Sequence, residues 1–251
     1  MTGPLSDTVL LTFLLFCRIG ACLMLMPGFS SPRVPVQIRL FVAIAVTLAL
    51  TPILLPVLKS SVFRPSLSAA FVLIIGETLT GGFIALLVRI YFMALQFMAA
   101  ALANFVGFYG FSEMGVEESE PNAPLAGLIT LAAAVLFFIG DLHWEVLKGI
   151  VQSYAALPLQ GPLVVEFGLA RLAEATADAF LLALQIASPF LVYALAVNLA
   201  FGLLNKLTPQ IPVYFVSLPF VIAGGLLLLY FVAGEFLSFF MVAVESRLIR
   251  G

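Results

Sequence analysis

Charged side chains are scarce in this chain of 251 residues: Lys and Arg number 11, Asp and Glu number 13, and together they make up 10% of the sequence. The net charge is −2 and no basic stripe occurs, so the electrostatic signature of nucleic-acid binding is missing. Only one histidine is present, and the motifs typical of serine hydrolases, zinc proteases and P-loop NTPases are absent. These absences argue against a nucleic-acid-binding protein and against the commoner enzyme classes.

Cysteine is also rare, with Cys17 and Cys22 in the first apolar segment. Side chains on one face of a helix recur every three or four residues, so these two thiols, five residues apart, do not face each other. We interpret them as small packing residues, because free cysteine is commonly buried. The sequence therefore predicts no disulfide framework, no metal site and no cofactor.

Apolar residues are in large excess, at 63% of the chain with 24 phenylalanines, against roughly 45–50% in soluble domains. Several apolar runs exceed the roughly 18 residues of a transmembrane helix, and such runs do not fit the alternating pattern of a membrane β-barrel. The sequence therefore predicts an all-α, polytopic integral membrane protein that forms one domain over residues 1–251. The N-terminus lacks a basic region and a cleavage site, so we expect the first helix to be retained.

Two apolar segments, at about residues 69–106 and 213–244, are longer than a bilayer requires. A straight helix of 38 residues would extend about 57 Å, whereas the hydrocarbon core is about 30 Å thick. We therefore expect long helices that are broken or that project out of the bilayer. The candidate break points are glycines and a proline, namely Gly76, Gly81, Gly82, Pro219, Gly224 and Gly225.

Three charged residues, Arg18, Glu77 and Arg89, interrupt apolar helices, where an ionised side chain is costly. They could line a water-filled path or carry a coupled proton. They could equally form structural ion pairs, for example Glu77 with Arg18 or with Arg89. The sequence leaves both interpretations open, and Glu235 is a weaker candidate of the same kind.

The run GDLHWEVLKG contains Asp141, His143 and Glu145, which could form a proton relay or a ligand set. The interpretation that we favour is structural. Asp141 is expected to cap a helix whose first turn contains Glu145, and Lys148 is expected to pair with Glu145. Trp144 is typical of a membrane interface.

The segment GFYGFSEMGVEESEPNAP, residues 107–124, places four acidic residues within eight positions. Glu117, Glu118 and Glu120 would each be costly in hydrocarbon, so this half of the segment must be hydrated. The preceding half combines glycines with aromatic residues and a methionine, which can close a passage by hydrophobic packing. The segment is either an exposed connector with an acidic tip or a constriction with a hydrated shoulder.

A series of chemically distinctive residues follows in a fixed order along nearly the whole chain: Arg18, Pro27, Pro35, Arg39, Glu77, Gly81, Asp141, His143, Ser153, Leu157, Pro158, Asn198, Gly202, Pro209, Gln210 and Pro219. In this order the chain resembles the FliR family of flagellar and type III secretion export-gate subunits. Departures from the family pattern include Leu142 and Trp144, which replace the Gly and the second His of a D-G-H-H run. Pro212 and Ser217 stand where the family commonly has Asn and Gly, and no lysine follows the last proline of the series.

The resemblance implies a non-enzymatic subunit of a helical export gate in the bacterial inner membrane, within the flagellar basal body. It implies FliP- and FliQ-like partner subunits, FlhA- and FlhB-like neighbours, and unfolded export substrates. The stretch TPQIPVYFVSLPFVIAGG favours the flagellar branch. A proton-coupled secondary transporter is the alternative, although no inverted repeat is visible.

The resemblance also implies that the loop of about residues 107–124 plugs the pore. The expected pore and plug residues are Gly107, Phe108, Tyr109, Gly110, Phe111, Met114 and Gly115. The expected assembly residues are the buried charges Arg18, Glu77 and Arg89. No catalytic residue is expected.

Overall fold

The computed structural model describes residues 4–31, 33–58, 66–106, 124–157, 165–208, 210 and 213–250. Within these ranges every regular element is an α-helix. In chain order the helices are α1 (Pro4–Leu25), α2 (Val36–Leu58), α3 (Leu67–Phe105), α4 (Pro124–Ile139), α5 (Leu142–Ala156), α6 (Val165–Leu207) and α7 (Val213–Arg250). The predicted all-α class is confirmed.

Helices α1, α2, α3, α6 and α7 are each long and apolar enough to cross a bilayer. Helices α4 and α5 meet at an angle of 64° and count as a sixth crossing if the pair forms one broken span. This composition and these lengths are those of a polytopic membrane protein, as predicted.

The predicted break points in the two long segments are wrong, because α3 and α7 are continuous helices. Glycine costs a helix only about 1 kcal/mol relative to alanine, which the long apolar flanks can offset. The sharp bend lies instead between α4 and α5. The 39 residues of α3 extend about 58 Å, so this helix must tilt or project beyond a hydrocarbon core of about 30 Å.

Prolines occur inside α2, α6 and α7 without ending these helices. Pro189 in α6 has no N–H, so the carbonyl of Gln185 loses its usual helical donor. The hydroxyl of Ser188 donates a hydrogen bond of 2.8 Å to this carbonyl. A local side chain thus satisfies a backbone group that lipid could not.

The chain divides into two compact units. The first comprises residues 1–90, 138–176 and 248–251, and in it α1 packs against α2. The buried face of α1 recurs at helical spacing and consists of Leu11, Leu14, Leu15, Arg18, Ile19 and Cys22. A basic residue therefore occupies a core position in an otherwise apolar face.

The second unit comprises residues 91–137 and 177–247. Its core contains three aromatic rings packed edge to face. The ring centroid of Phe92 is 5.6 Å from that of Phe137 and 5.5 Å from that of Phe240. Such arrangements stabilise aromatic pairs beyond the burial of their area.

Small residues in α7 allow close packing within this second unit. A Cβ added to Gly225 would lie 2.6 Å from Cγ1 of Val106, so only glycine fits there. The hydroxyl of Tyr193 in α6 donates a 2.7 Å hydrogen bond to the carbonyl of Val221 in α7. Near the opposite end of α7, Arg247 forms an ion pair of 2.7 Å with Asp178.

Candidate functional site

The most concentrated polar chemistry among the described residues surrounds Arg18 in the first unit. Arg18 is 1% exposed and Glu77 is 3% exposed, so both charges are withdrawn from solvent. Nε and Nη2 of Arg18 each donate a 2.7 Å hydrogen bond to a different oxygen of the Glu77 carboxylate. This two-pronged geometry is the strongest form of an arginine–carboxylate pair.

Helix α5 supplies the remaining contacts of the guanidinium. Nη1 donates to the hydroxyl of Ser153 at 2.9 Å, and Nη2 donates to the carbonyl of Leu157 at 3.1 Å. The ring of Tyr154 lies under the guanidinium, with Cζ 3.8 Å from the ring centroid. We call these five residues, Arg18, Glu77, Ser153, Tyr154 and Leu157, the Arg18 cluster.

Almost every hydrogen-bonding group of the cluster is used. Arginine offers five N–H donors, and four hydrogen bonds are formed here. The Ser153 hydroxyl also donates to the carbonyl of Ile150 at 2.6 Å. The hydroxyl of Tyr154 is buried near Glu77 but has no hydrogen bond of good geometry to a described residue.

Glu77 and Gly81, one helical turn apart on the same face of α3, both contact Arg18 of α1. Glu77 binds the side chain of Arg18. One helical turn later, Gly81 packs against the backbone of Arg18, where an added Cβ would collide with the carbonyl oxygen. The pair therefore fixes both the position and the side-chain direction of Arg18.

This arrangement is suited to holding helices together. Both oxygens of the Glu77 carboxylate accept hydrogen bonds from a group that is permanently charged in proteins. No group of three or more His, Cys, Asp or Glu side chains suitable for a metal occurs among the described residues. The Arg18 cluster connects α1, α3 and α5, and it offers no activated nucleophile.

Aromatic rings surround the bend between α4 and α5. Phe138 contacts Phe29 edge-to-face at 5.5 Å and lies 5.4 Å from the ring of His143, measured between centroids. Gly28 has a φ of 85°, and a Cβ there would collide with the ring of Phe138. The turn after α1 is thereby packed against the bend.

The relay interpretation of residues 141–145 gains no support from the geometry. Asp141 occupies the N-cap position of α5 with a φ of 56°, but its side chain forms no capping hydrogen bond. The expected helix start is therefore confirmed, whereas the expected side-chain cap is wrong. Glu145 pairs with Lys148 at 2.6 Å, as predicted. The ring of His143 is tilted by 38° against Phe138 and by 40° against Trp144.

The side chain of Arg39 stabilises the proline-rich connector that precedes α2. Its side chain folds back and donates hydrogen bonds to the carbonyl of Ser31 at 2.6 Å and to the carbonyl of Val34 at 2.7 and 3.0 Å. Backbone bonds from Ile38 and Arg39 to the carbonyl of Pro35 begin the helix at the same place. Arg39 therefore satisfies carbonyls that an irregular connector leaves free.

The other residues predicted from the sequence do not join the Arg18 cluster. Of the two partners considered for Glu77, the structure selects Arg18; Arg89 is half-buried and makes no ion pair with a described residue. The plug residues Gly107, Phe108, Tyr109, Gly110, Phe111, Met114 and Gly115 lie outside the described residues. Glu235 is exposed on α7.

Reasoning from buried charge alone missed the part of the cluster that lies on α5. Ser153, Tyr154 and Leu157 carry no charge, and nothing in their local pattern indicates that they contact an arginine 135 to 139 residues earlier. The order of distinctive residues along the chain was the only signal for Ser153 and Leu157.

The sequence of this chain is similar to those of bacterial export proteins. The family model described as bacterial export proteins, family 1, matches residues 9–246. The chain is 29% identical over 219 residues to the flagellar biosynthetic protein FliR of Caulobacter vibrioides, covering 86% of this chain and 85% of that protein. It is 28% identical over 220 residues to the protein of the same name from Escherichia coli, covering 84% of this chain and 80% of the relative.

A third relative gives a similar result. The chain is 27% identical over 228 residues to the flagellar biosynthetic protein FliR of Bacillus subtilis, covering 86% of this chain and 83% of that protein. The region that the family model matches, residues 9–246, contains nearly all the described helices and the five positions of the Arg18 cluster.

Proposed function

Because this chain belongs to bacterial export proteins family 1, we propose that it is a non-enzymatic subunit of a flagellar protein export gate. In this proposal it forms, with FliP- and FliQ-like partners, the passage through which unfolded flagellar proteins cross the bacterial inner membrane. FlhA- and FlhB-like subunits are its expected neighbours in the flagellar basal body. The match of the family model over residues 9–246 is the observation that carries the proposal.

The names of the relatives support the flagellar assignment, since the curated proteins described above are called flagellar biosynthetic protein FliR. The helices that are long and apolar enough to span a bilayer support a location in the membrane. Many of their large apolar side chains are exposed on the isolated chain, which suits a subunit whose faces contact other subunits as well as lipid.

The geometry favours a structural role for the buried charges. A transporter acid must be able to gain and lose its proton, but both oxygens of Glu77 are engaged by Arg18. Such an ion pair stabilises one arrangement of α1, α3 and α5. No observation favours the proton-coupled transporter, and the family membership favours export.

We further propose that the segment of about residues 107–124 narrows the passage when no substrate is present. The proposal rests on its sequence: Phe108, Phe111 and Met114 can pack against one another or around a moving chain, and the adjacent glycines permit bending. Along the chain, the segment follows α3 and precedes α4.

The test uses a strain lacking this gene, complemented with the full chain or with a variant in which Phe108, Phe111 and Met114 are all changed to Gly. We measure flagellar proteins exported to the medium and the leak of ions across the membrane. The deletion should abolish export, and both complementing genes should restore it. Only the glycine variant should raise the ion leak, because it removes the packing side chains and keeps the length of the segment.

A matched control changes Glu117, Glu118 and Glu120 to Gln in the other half of the same segment. This control should export normally and should not leak, because the hydrated half does not close the passage in our proposal. Normal export in the deletion strain would refute the export function. Restored export with no added leak in the glycine variant would refute the plug and leave the export function standing.

A further inference from the structure

Helix α7 has an exposed apolar face with one acidic residue at its centre. Only 11% of its membrane-length span is buried in the isolated chain, the smallest share among the five spans. Leu227, Phe231, Phe239 and Val242 follow one another at helical spacing and are 48–68% exposed. Glu235 lies among them and is exposed as well. We call these five residues the Glu235 face.

The position of Glu235 along α7 places it in the apolar layer. The span that can cross a bilayer is Val216–Arg247, which is 32 residues long. A crossing needs about 20 residues, and every stretch of that length that fits within this span contains Glu235. For a crossing within this span, the carboxylate therefore lies in the hydrocarbon or at its edge.

The chain itself offers this carboxylate no partner among the described residues. Apart from the backbone bonds of the helix, the hydrogen bond given for Glu235 is the one that its carbonyl accepts from the hydroxyl of Ser238, and it leaves the carboxylate unpaired. Arg247, near the end of the same helix, is about 18 Å from Glu235 along the axis and is already paired with Asp178. A carboxylate in the apolar layer is costly unless it meets a cation or hydrogen-bond donors, and lipid tails provide neither.

We propose that the Glu235 face is a docking site for a membrane-spanning helix of a different subunit, and that this helix carries an arginine or lysine opposite Glu235. Charge complementarity identifies the partner as basic. Phe231 and Phe239 lie one turn to either side of Glu235 and are exposed, so they provide ring faces that favour an arginine. A symmetric contact with a second copy would place two Glu235 carboxylates together, which like-charge repulsion disfavours.

This docking site goes beyond the proposed function, since it involves neither the Arg18 cluster nor the segment of residues 107–124. It depends on the proposed function only in requiring that another membrane subunit be present. The test therefore uses the full chain in the membranes of its own host, with the rest of the export system expressed.

The experiment places a photoreactive phenylalanine analogue at Phe231 or at Phe239, irradiates the membranes and identifies the cross-linked protein by mass spectrometry. The same probe is then combined with Glu235→Lys or with the matched control Glu245→Lys. Glu245 is an exposed acid on the same helix near its polar end, so it tests whether any charge reversal on α7 disturbs the contact.

We expect an adduct with a different membrane subunit at a segment that contains Lys or Arg. Glu235→Lys should reduce the yield at least about tenfold, whereas Glu245→Lys should change it less than about twofold. Changing the basic residue of the partner to Glu should restore the adduct of Glu235→Lys. If Glu235→Lys lowers the amount of chain in the membrane, Glu235→Gln is used instead and should also weaken the adduct.

Other outcomes would overturn the docking site. These are an adduct only with a second copy of this chain, an adduct segment without a basic residue, no protein adduct at all, or equal losses for Glu235→Lys and Glu245→Lys. Export is measured in the same strains. If export depends on this chain while Glu235 proves irrelevant to the adduct, the docking site fails and the export function remains.

Discussion

Breaking the ion pair between Arg18 and Glu77 should be far more damaging than replacing the whole pair. In Glu77→Leu, Arg18, which is 1% exposed in the native chain, loses its two hydrogen bonds to the carboxylate. Removing one partner of a buried pair costs about 3–5 kcal/mol. For a chain of this size about 1 kcal/mol corresponds to 2–4 °C, so the midpoint of thermal unfolding should fall by about 6–20 °C.

The double variant Arg18→Met with Glu77→Leu should recover more than half of this loss. Apolar residues of similar volume commonly replace a buried ion pair at little cost or even with a gain. Recovery should be incomplete, because Ser153 and the carbonyl of Leu157 lose their contacts with the guanidinium.

The measurement is thermal unfolding of the purified full chain in detergent, followed by tryptophan fluorescence. Trp144 is the only tryptophan and lies in α5, the helix that contributes Ser153 and Tyr154 to the Arg18 cluster. Glu145→Gln is the control, since Glu145 pairs with a Lys148 side chain that is 61% exposed, and exposed pairs contribute about 0–1 kcal/mol. A double variant as unstable as Glu77→Leu would refute the structural interpretation of these charges.

Two further predictions test the close contacts of the first unit. Gly81→Ala should destabilise the chain by about 1–3 kcal/mol, because the new Cβ meets the backbone of Arg18. The control Gly127→Ala should be neutral or stabilising, because nothing lies within 4 Å of a Cβ at that position. Equal shifts of the thermal unfolding midpoint in the two variants would contradict this account. Arg39→Lys should speed proteolytic cleavage of the connector before α2 about tenfold, because lysine cannot bind two carbonyls in the same way. Arg33→Lys is the control, and a similar rate for both variants would contradict the role of Arg39.

The fold class could be predicted from composition because the lipid environment restricts the alternatives. Lipid cannot form hydrogen bonds with the backbone N–H and C=O groups of an apolar run of membrane length. Only a helix pairs these groups within the same segment. The continuity of α3 could not be predicted in the same way. Gly81 weakens a helix in isolation, but in the folded chain it permits the contact with Arg18, so a residue suspected of breaking the helix contributes to packing instead.

The candidate site was predictable only in part. A charge in an apolar helix needs a counter-charge, which is why Glu77 could be proposed as a partner of Arg18. The choice between Arg18 and Arg89 depends on how α1 packs against α3, and sequence spacing does not determine packing between distant helices. The contribution of α5 depends on the bend at Asp141. The side chain of Asp141 forms no capping hydrogen bond there, so the sequence carries no capping signal for this backbone conformation.

The Arg18 cluster also has a consequence for the order in which the chain is made. Arg18 is synthesised 59 residues before its carboxylate partner and 139 residues before the carbonyl of Leu157. At about 5–20 residues per second, the ribosome needs about 3–12 s to reach Glu77 after Arg18. During that interval α1, although apolar enough to cross a bilayer, contains a cation without its partner, at a cost of about 2.5–3.5 kcal/mol on insertion scales. The arrival of the third helix then supplies the carboxylate that offsets this cost.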